Sequence, residues 1–257
     1  MKPTVDLDHV AIATTDISAA LQTAVGELGG IVFHGGDGYG FRWIQTRVGS
    51  AVTGTTIELL VVWQPEINDF LDRFLARHGP GVHHMTFKVR DLEATLDRCA
   101  ALGLEPVGVN LENPQWREAF LQPKQAHGTV VQLAQTSDEW DFAELIADAE
   151  RTGTTMGTPI WWPDPPARTT TPATIDRVVL GSPDRTEATA FFAELLDGEI
   201  SHRGSEHTEL HWPGGGRIRL VDAPQSGFVR LEATADVAAE TTVDLSGASV
   251  LLSPTSG

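Results

Sequence analysis

Leu7-Asp8-His9-Val10-Ala11-Ile12-Ala13, near the start of the chain, is answered by Val82-His83-His84-Met85-Thr86-Phe87-Lys88, and the interval from His9 to His84 is 84 − 9 = 75 residues. Both stretches read as buried strands carrying a histidine near their start, and each runs on to an aspartate with apolar residues at helical spacing behind it. These are Asp16-Ile17-Ser18-Ala19-Ala20-Leu21 and Asp91-Leu92-Glu93-Ala94-Thr95-Leu96. Aspartate there is the expected N-cap, because its carboxylate accepts from an amide that the first helical turn leaves without a partner. Glycines then stop both helices, in Leu28-Gly29-Gly30 and Leu102-Gly103-Leu104. Strand-like runs follow: Phe41–Gln45 with Thr56–Val62 in the first copy, Glu118–Leu121 with Thr129–Leu133 in the second. A β, α, β unit that recurs at a constant interval marks a repeat architecture. The expected class is α+β, built of repeated βαβββ modules with flanking helices.

A third copy is read from Ile175-Asp176-Arg177-Val178-Val179-Leu180, through the helical Thr186–Leu196, to strands around Leu210-His211-Trp212 and Ile218-Arg219-Leu220-Val221. A shortened fourth copy, lacking a full helix, runs from Phe228-Val229-Arg230-Leu231 to Val250-Leu251-Leu252. Before the third copy lies Pro159-Ile160-Trp161-Trp162-Pro163-Asp164-Pro165-Pro166, whose composition suits an extended connector. The expected division is therefore residues 1–140 as a module pair, 141–173 as a Pro- and Trp-rich connector, and 174–257 as a degenerate, truncated pair.

Composition narrows the partners. The 35 acidic against 18 basic residues give a formal charge of −17, which excludes the basic footprint that nucleic acid or an anionic membrane surface demands. No apolar run reaches the roughly 18 to 20 residues of a membrane span, and the N-terminal residues lack a signal-peptide pattern, so a cytoplasmic protein with a small-molecule substrate is expected. The lone Cys99 sits in a helical stretch and reads as inert packing.

Polar residues inside apolar strands carry the chemistry, because burying one without a partner costs about 1 to 3 kcal/mol. His9 and His84 stand in the first strands of their copies, Glu58 and Gln132 in the last, at matching intervals of 58 − 9 = 49 and 132 − 84 = 48. A single buried histidine is ordinarily a satisfied core group. Two imidazoles, a carboxylate and an amide oxygen at repeat-equivalent places are a ligand set for one divalent ion such as Zn, Co, Ni, Fe or Mn. His83 competes with His84, and the alignment of His-Met-Thr-Phe with His-Val-Ala-Ile selects His84. In the third copy Arg177 takes the place of His9 and Arg219 that of Glu58, and guanidinium groups repel a dication. No metal is expected there.

These residues resemble the vicinal-oxygen-chelate superfamily of glyoxalases, epimerases, extradiol dioxygenases and antibiotic-resistance proteins. The likeness is greatest to methylmalonyl-CoA epimerases. It rests on Leu7–Ile12, Ile57-Glu58-Leu59-Leu60, Gly79-Pro80-Gly81-Val82-His83-His84-Met85 and Phe120-Leu121-Gln122-Pro123-Lys124 with Gly128–Leu133, and it covers residues 5 to about 136. It implies a cupped sheet around a metal that binds substrate oxygens, with His9, Glu58 and His84 on ligand positions and Gln132 where the epimerases have glutamate. It also implies a carboxylate that moves a proton. Glu58 is one candidate, and Asp37 in the Gly-rich His34-Gly35-Gly36-Asp37-Gly38-Tyr39 is a positional one. Trp43, Phe41, Trp116 and Lys124 are the candidate substrate contacts, and Glu118 is a further one.

The expected function is a metal-dependent isomerase, epimerase or lyase that stabilises an enolate on a small carbonyl or acyl-thioester substrate. A protein of the same fold that sequesters a drug or metabolite is the alternative, and an Fe(II) dioxygenase the third reading. The chain is expected either as a monomer imitating a dimer of two-module relatives or as a homodimer.

Overall fold

The computed structural model describes residues 5–50, 53–137, 142–152 and 163–255. The first two sequence copies supply an eight-stranded mixed sheet and the last two a seven-stranded one. In chain order the first sheet takes β1 (Val5–Ala13), β2 (Ile31–Asp37), β3 (Phe41–Gly49), β4 (Gly54–Val62), β5 (Gly81–Val89), β6 (Val107–Asn110), β7 (Trp116–Leu121) and β8 (Val130–Thr136). The second takes β9 (Thr174–Ser182), β10 (Glu199–Arg203), β11 (His207–His211), β12 (Arg217–Asp222), β13 (Gly227–Ala235), β14 (Thr241–Leu245) and β15 (Ala248–Pro254). Their orders are β2-β3-β4-β1-β5-β8-β7-β6 and β10-β11-β12-β9-β13-β15-β14. The helices are α1 (Ile17–Leu21), α2 (Phe70–His78), α3 (Leu92–Ala101), α4 (Phe142–Thr152) and α5 (Arg185–Ala190). None is long and apolar enough to cross a membrane.

Capping explains where the module helices start. Asp16, Asp91 and Asp184 each accept through Oδ1 from the amide three residues on, at 3.0, 3.0 and 2.9 Å. α1 and α5 both widen into π-helical turns, over Gln22–Glu27 and Phe191–Leu195. Copies one and three keep one offset over their first strand and helix: 177 − 9, 182 − 14, 184 − 16 and 197 − 29 all equal 168. Gly29 (φ 72°) and Gly103 (φ 71°) stop their helices in the left-handed region open to glycine. Asp197 (φ 54°) holds the corresponding place in copy three, where its carboxylate accepts from Arg98 Nη2 at 2.8 Å. The fourth copy consists of β13, β14 and β15 and has no helix among the described residues.

Two compact units are assembled from non-contiguous segments, and the division passes through β1 after His9 and through β5 after His83. The unit comprising Met1–His9, His84–Trp140 and Arg177–Val229 centres on Phe87, whose ring lies 5.1 Å from Trp212 and 6.2 Å from Phe192. Trp212 is buried, and its indole N–H donates to the Leu196 carbonyl at 2.6 Å. In the unit comprising Val10–His83, Asp141–Asp176 and Arg230–Gly257, Ile146 and Ala149 of α4 pack on Ile31 and Phe33 of β2. That helix falls inside the segment read as a Pro- and Trp-rich connector; its apolar residues recur at helical spacing and find a strand face to cover. Further on, the Ala173 amide donates to the Leu28 carbonyl at 3.0 Å. Pro159–Trp162 of the expected connector lie outside the described residues.

Candidate metal centre

Cross-strand register decides which side chains share a face, since partners across a ladder and residues two apart point the same way. His34 pairs with Gln45 and Gln45 with Glu58 across β2, β3 and β4. On the other flank His84 pairs with Val130, Thr86 with Gln132 and Gln132 with Phe120 across β5, β8 and β7. β1, which carries His9, runs between β4 and β5.

His9, Glu58 and His84 are all buried, and one ligating atom from each lies within 4.8 Å of the others. The two imidazole centroids are 5.9 Å apart. Neighbouring donors around a small dication bound at about 2.1 Å are separated by about 3 to 4 Å, so this donor set is of a size and chemistry to hold one. His83 goes elsewhere: its ring packs 5.4 Å from Phe70 and 4.7 Å from Phe74 of α2. Burial there lowers its pKa to about 4, against the opposing pull of Glu58.

Each member of the cluster has an oriented neighbour. His9 Nδ1 lies 2.7 Å from Asp8 Oδ2, and Lys88 Nζ lies 2.8 Å from Asp8 Oδ1. Burial works to raise the Asp8 carboxyl, but the Lys88 charge and the His9 contact overcome it and hold the group well below the usual carboxylate range. An ionised Asp8 accepts a hydrogen bond from the Nδ1–H and leaves the Nε2 lone pair for a ligand, the familiar carboxylate–histidine arrangement of metal sites. Gln45 Nε2 donates to Glu58 Oε1 at 3.1 Å. Phe120 lies edge-on to His84, with centroids 6.3 Å apart.

Gln132 is buried on the same face and makes two hydrogen bonds. Its Oε1 accepts from Thr86 Oγ1 at 2.5 Å, and its Nε2 donates to Glu118 Oε2 at 2.7 Å. Trp116 Nε1 donates to the same Glu118 oxygen at 2.9 Å. Phe41 and Trp43 are half-buried against Ala11, Ala13, Leu60 and Leu71. Lys124 lines a shallow surface hollow with His127, Glu187 and Ser226.

Asp37 does not join the cluster. It is exposed, pairs in register with Arg42, and accepts from Arg42 Nε at 2.8 Å. Arg42 in turn pairs with Val61, an odd number of residues from Glu58, so strand parity puts Asp37 on the opposite face. The Gly-rich stretch around Asp37 is largely strand. Gly35 and Gly36 belong to β2, and a Cβ on Gly36 would come within 3.2 Å of the Trp43 indole. Sequence reasoning passed over Thr86, Asp8, Gln45 and His34. The signal for Thr86 is its place two residues after His84.

The seven-stranded sheet shows what stands at the equivalent place. Arg177 Nη1 and Arg219 Nη2 both donate to Oε1 of Glu209, the latter at 2.6 Å, and Arg219 Nε adds a contact at 2.9 Å. Burial raises the Glu209 carboxyl, but the two guanidinium groups prevail and lower it.

Residues 8–120 match the family model described as Glyoxalase/Bleomycin resistance protein/Dioxygenase superfamily. That match covers less than half of the chain, and the likeness is to this segment alone. Likeness of fold reaches over nearly the whole chain. A hypothetical protein from Staphylococcus aureus superposes with a TM-score of 0.65 at 14% identity, covering 97% of this chain and 99% of that one. Methylmalonyl-CoA epimerase from Mycobacterium tuberculosis is 28% identical over 54% of this chain and 93% of its own, with a TM-score of 0.47. A Streptomyces coelicolor methylmalonyl-CoA epimerase in complex with 2-nitronate-propionyl-CoA is 24% identical over 53% of this chain and 97% of its own, with a TM-score of 0.45. Comparison with curated proteins found no match.

Proposed function

We propose that the chain is a divalent-metal-dependent isomerase, epimerase or lyase that acts on a small carbonyl or acyl-thioester compound by stabilising its enolate. The observation that carries this reading is the buried His9, Glu58 and His84 cluster, with ligating atoms within 4.8 Å of one another. These three side chains would hold the ion. When bound, such an ion polarises a carbonyl oxygen and offsets the negative charge that develops as the adjacent carbon loses its proton. The chain's own residues prepare the site. Asp8 orients His9, Gln45 holds Glu58, and half-buried Phe41 and Trp43 supply an apolar wall nearby. Of the two carboxylates the sequence put forward for proton removal, Glu58 is in the cluster and Asp37 is exposed and paired with Arg42, so the task falls to Glu58.

Sequestration of a small molecule without turnover is the second reading, favoured by the placement of Asp37 away from the cluster. The test has two parts. Protein purified without chelator is assayed for metal beside His84→Ala, and both are incubated with methylmalonyl-CoA in D2O while deuterium entry at the acidic carbon is followed by NMR. About one equivalent of metal, lost in the variant together with exchange, supports the enzyme. Metal without exchange for this or other acyl-thioester and 2-oxoaldehyde probes supports sequestration. A wild-type protein that takes up no divalent ion sinks the reading.

A further inference from the structure

We infer that Glu118 is a specificity-determining residue of the proposed site, and that the substrate carries a hydrogen-bond donor, a hydroxyl or an amine, beside the carbonyl the ion would polarise. The inference rests on the metal reading above and names the substrate class of that site. Glu118 lies on β7, two residues before Phe120, and the strand partners of the two are Ala134 and Gln132 of β8. Gln132 in turn pairs with Thr86, two residues after His84 on β5. Glu118, Phe120, Gln132, Thr86 and His84 therefore share one face of the sheet. On that face the Phe120 ring meets the His84 ring edge-on, with centroids 6.3 Å apart.

The Glu118 carboxylate is held by one oxygen and open at the other. Trp116 Nε1 and Gln132 Nε2 both donate to Oε2, at 2.9 and 2.7 Å. Thr86 Oγ1 donates to Gln132 Oε1 at 2.5 Å, which fixes the end of the amide that faces Glu118. An indole N–H can only donate, so the place of Oε2 demands an acceptor. Among the described residues no hydrogen bond reaches Oε1, and the side chain is half-buried. A substrate hydroxyl or ammonium meets that oxygen in a charge-assisted hydrogen bond. A methyl group in its place covers the oxygen and leaves it without a partner, and a second carboxylate meets it as a like charge. Half-buried Trp116 and Phe120, on either side along β7, offer apolar surface to the carbon that bears the donor.

The deciding experiment titrates matched probes calorimetrically into the full chain loaded with Co2+. The thioesters are 2-hydroxypropionyl-CoA, 2-aminopropionyl-CoA, propionyl-CoA and methylmalonyl-CoA, and 2-hydroxypropanal with propanal is a pair free of the thioester. Wild type is expected to bind the donor-bearing probes about 10- to 100-fold tighter than the plain ones, the range for a hydrogen bond to a charged group. Glu118→Gln should invert the preference. Trp116 and Gln132 claim the new amide oxygen for the place of Oε2, which turns its NH2 to the place of Oε1 and puts a donor where an acceptor stood. The advantage of 2-aminopropionyl-CoA, whose ammonium cannot accept, should then vanish, and methylmalonyl-CoA should gain affinity. Trp116→Phe removes one of the two donors that hold Oε2 and should lose a smaller part of the preference. Equal binding of donor-bearing and plain probes by wild type, no binding of any donor-bearing probe, or an amine advantage that persists in a correctly folded Glu118→Gln would each overturn the inference, while Co2+ uptake by the same wild-type sample leaves the metal reading standing. A wild-type chain that takes up no Co2+ removes both.

Discussion

Replacing Glu209 by glutamine tests whether a salt-bridged group has taken over the place of a metal centre in the seven-stranded sheet. The carboxylate is the common acceptor of Arg177 and Arg219, and all three side chains are about one-fifth exposed (22 to 23%). Exposed pairs are worth about 0 to 1 kcal/mol, and removing one partner of a buried pair costs about 3 to 5 kcal/mol. Two guanidinium groups losing one partly shielded acceptor fall between, at about 2 kcal/mol. For a chain of this size that is a fall of about 4 to 8 °C in Tm, read by circular dichroism at pH 7. The pH dependence has a definite sign. The folded-state pKa of Glu209 is lowered, so its stabilisation is complete above the ordinary carboxylate value and disappears as pH falls through the depressed one. The gap between wild type and Glu209→Gln should close under those acid conditions. Replacing all three residues with apolar ones of similar volume should restore most of the loss, because no uncompensated charge remains. A Glu209→Gln protein that melts within 1 °C of wild type at pH 7 and low salt would refute the reasoning.

Three further outcomes follow from the same contacts. Phe87→Ala empties the space between Trp212 and Phe192 and should cost about 3 to 5 kcal/mol in urea unfolding. Asp16→Ala and Asp91→Ala each remove one N-cap acceptor and should cost about 1 kcal/mol by the same measurement; indifference to both would mean the caps only decorate helices held by packing. Asp8→Asn leaves His9 with a weaker, uncharged partner and should reduce Co2+ affinity about 10- to 100-fold in titration without removing the ion.

The helix starts were legible because capping is local: Asp16 and Asp91 lie next to the amides they accept from. The grouping of His9, Glu58 and His84 was legible because the repeat interval brings equivalent strand positions to equivalent places. Asp37 went astray for the same kind of reason. A Gly-Gly pair suggests a loop, but Gly36 leaves room for the Trp43 indole across the ladder, and strand parity turns Asp37 away from Glu58. No interval in the sequence couples Gln132 to Glu118 and Thr86, or Glu209 to Arg177 and Arg219. Those pairs meet across strands that lie side by side or one strand apart, whose register depends on loops and on bulges such as that between Val32 and His34. The sequence by itself determined the modules, their order, and which residue types stand in the strands. Only the tertiary structure decided which polar side chains satisfy one another, because a buried donor takes the acceptor that packing sets beside it, however far away in the chain that acceptor lies.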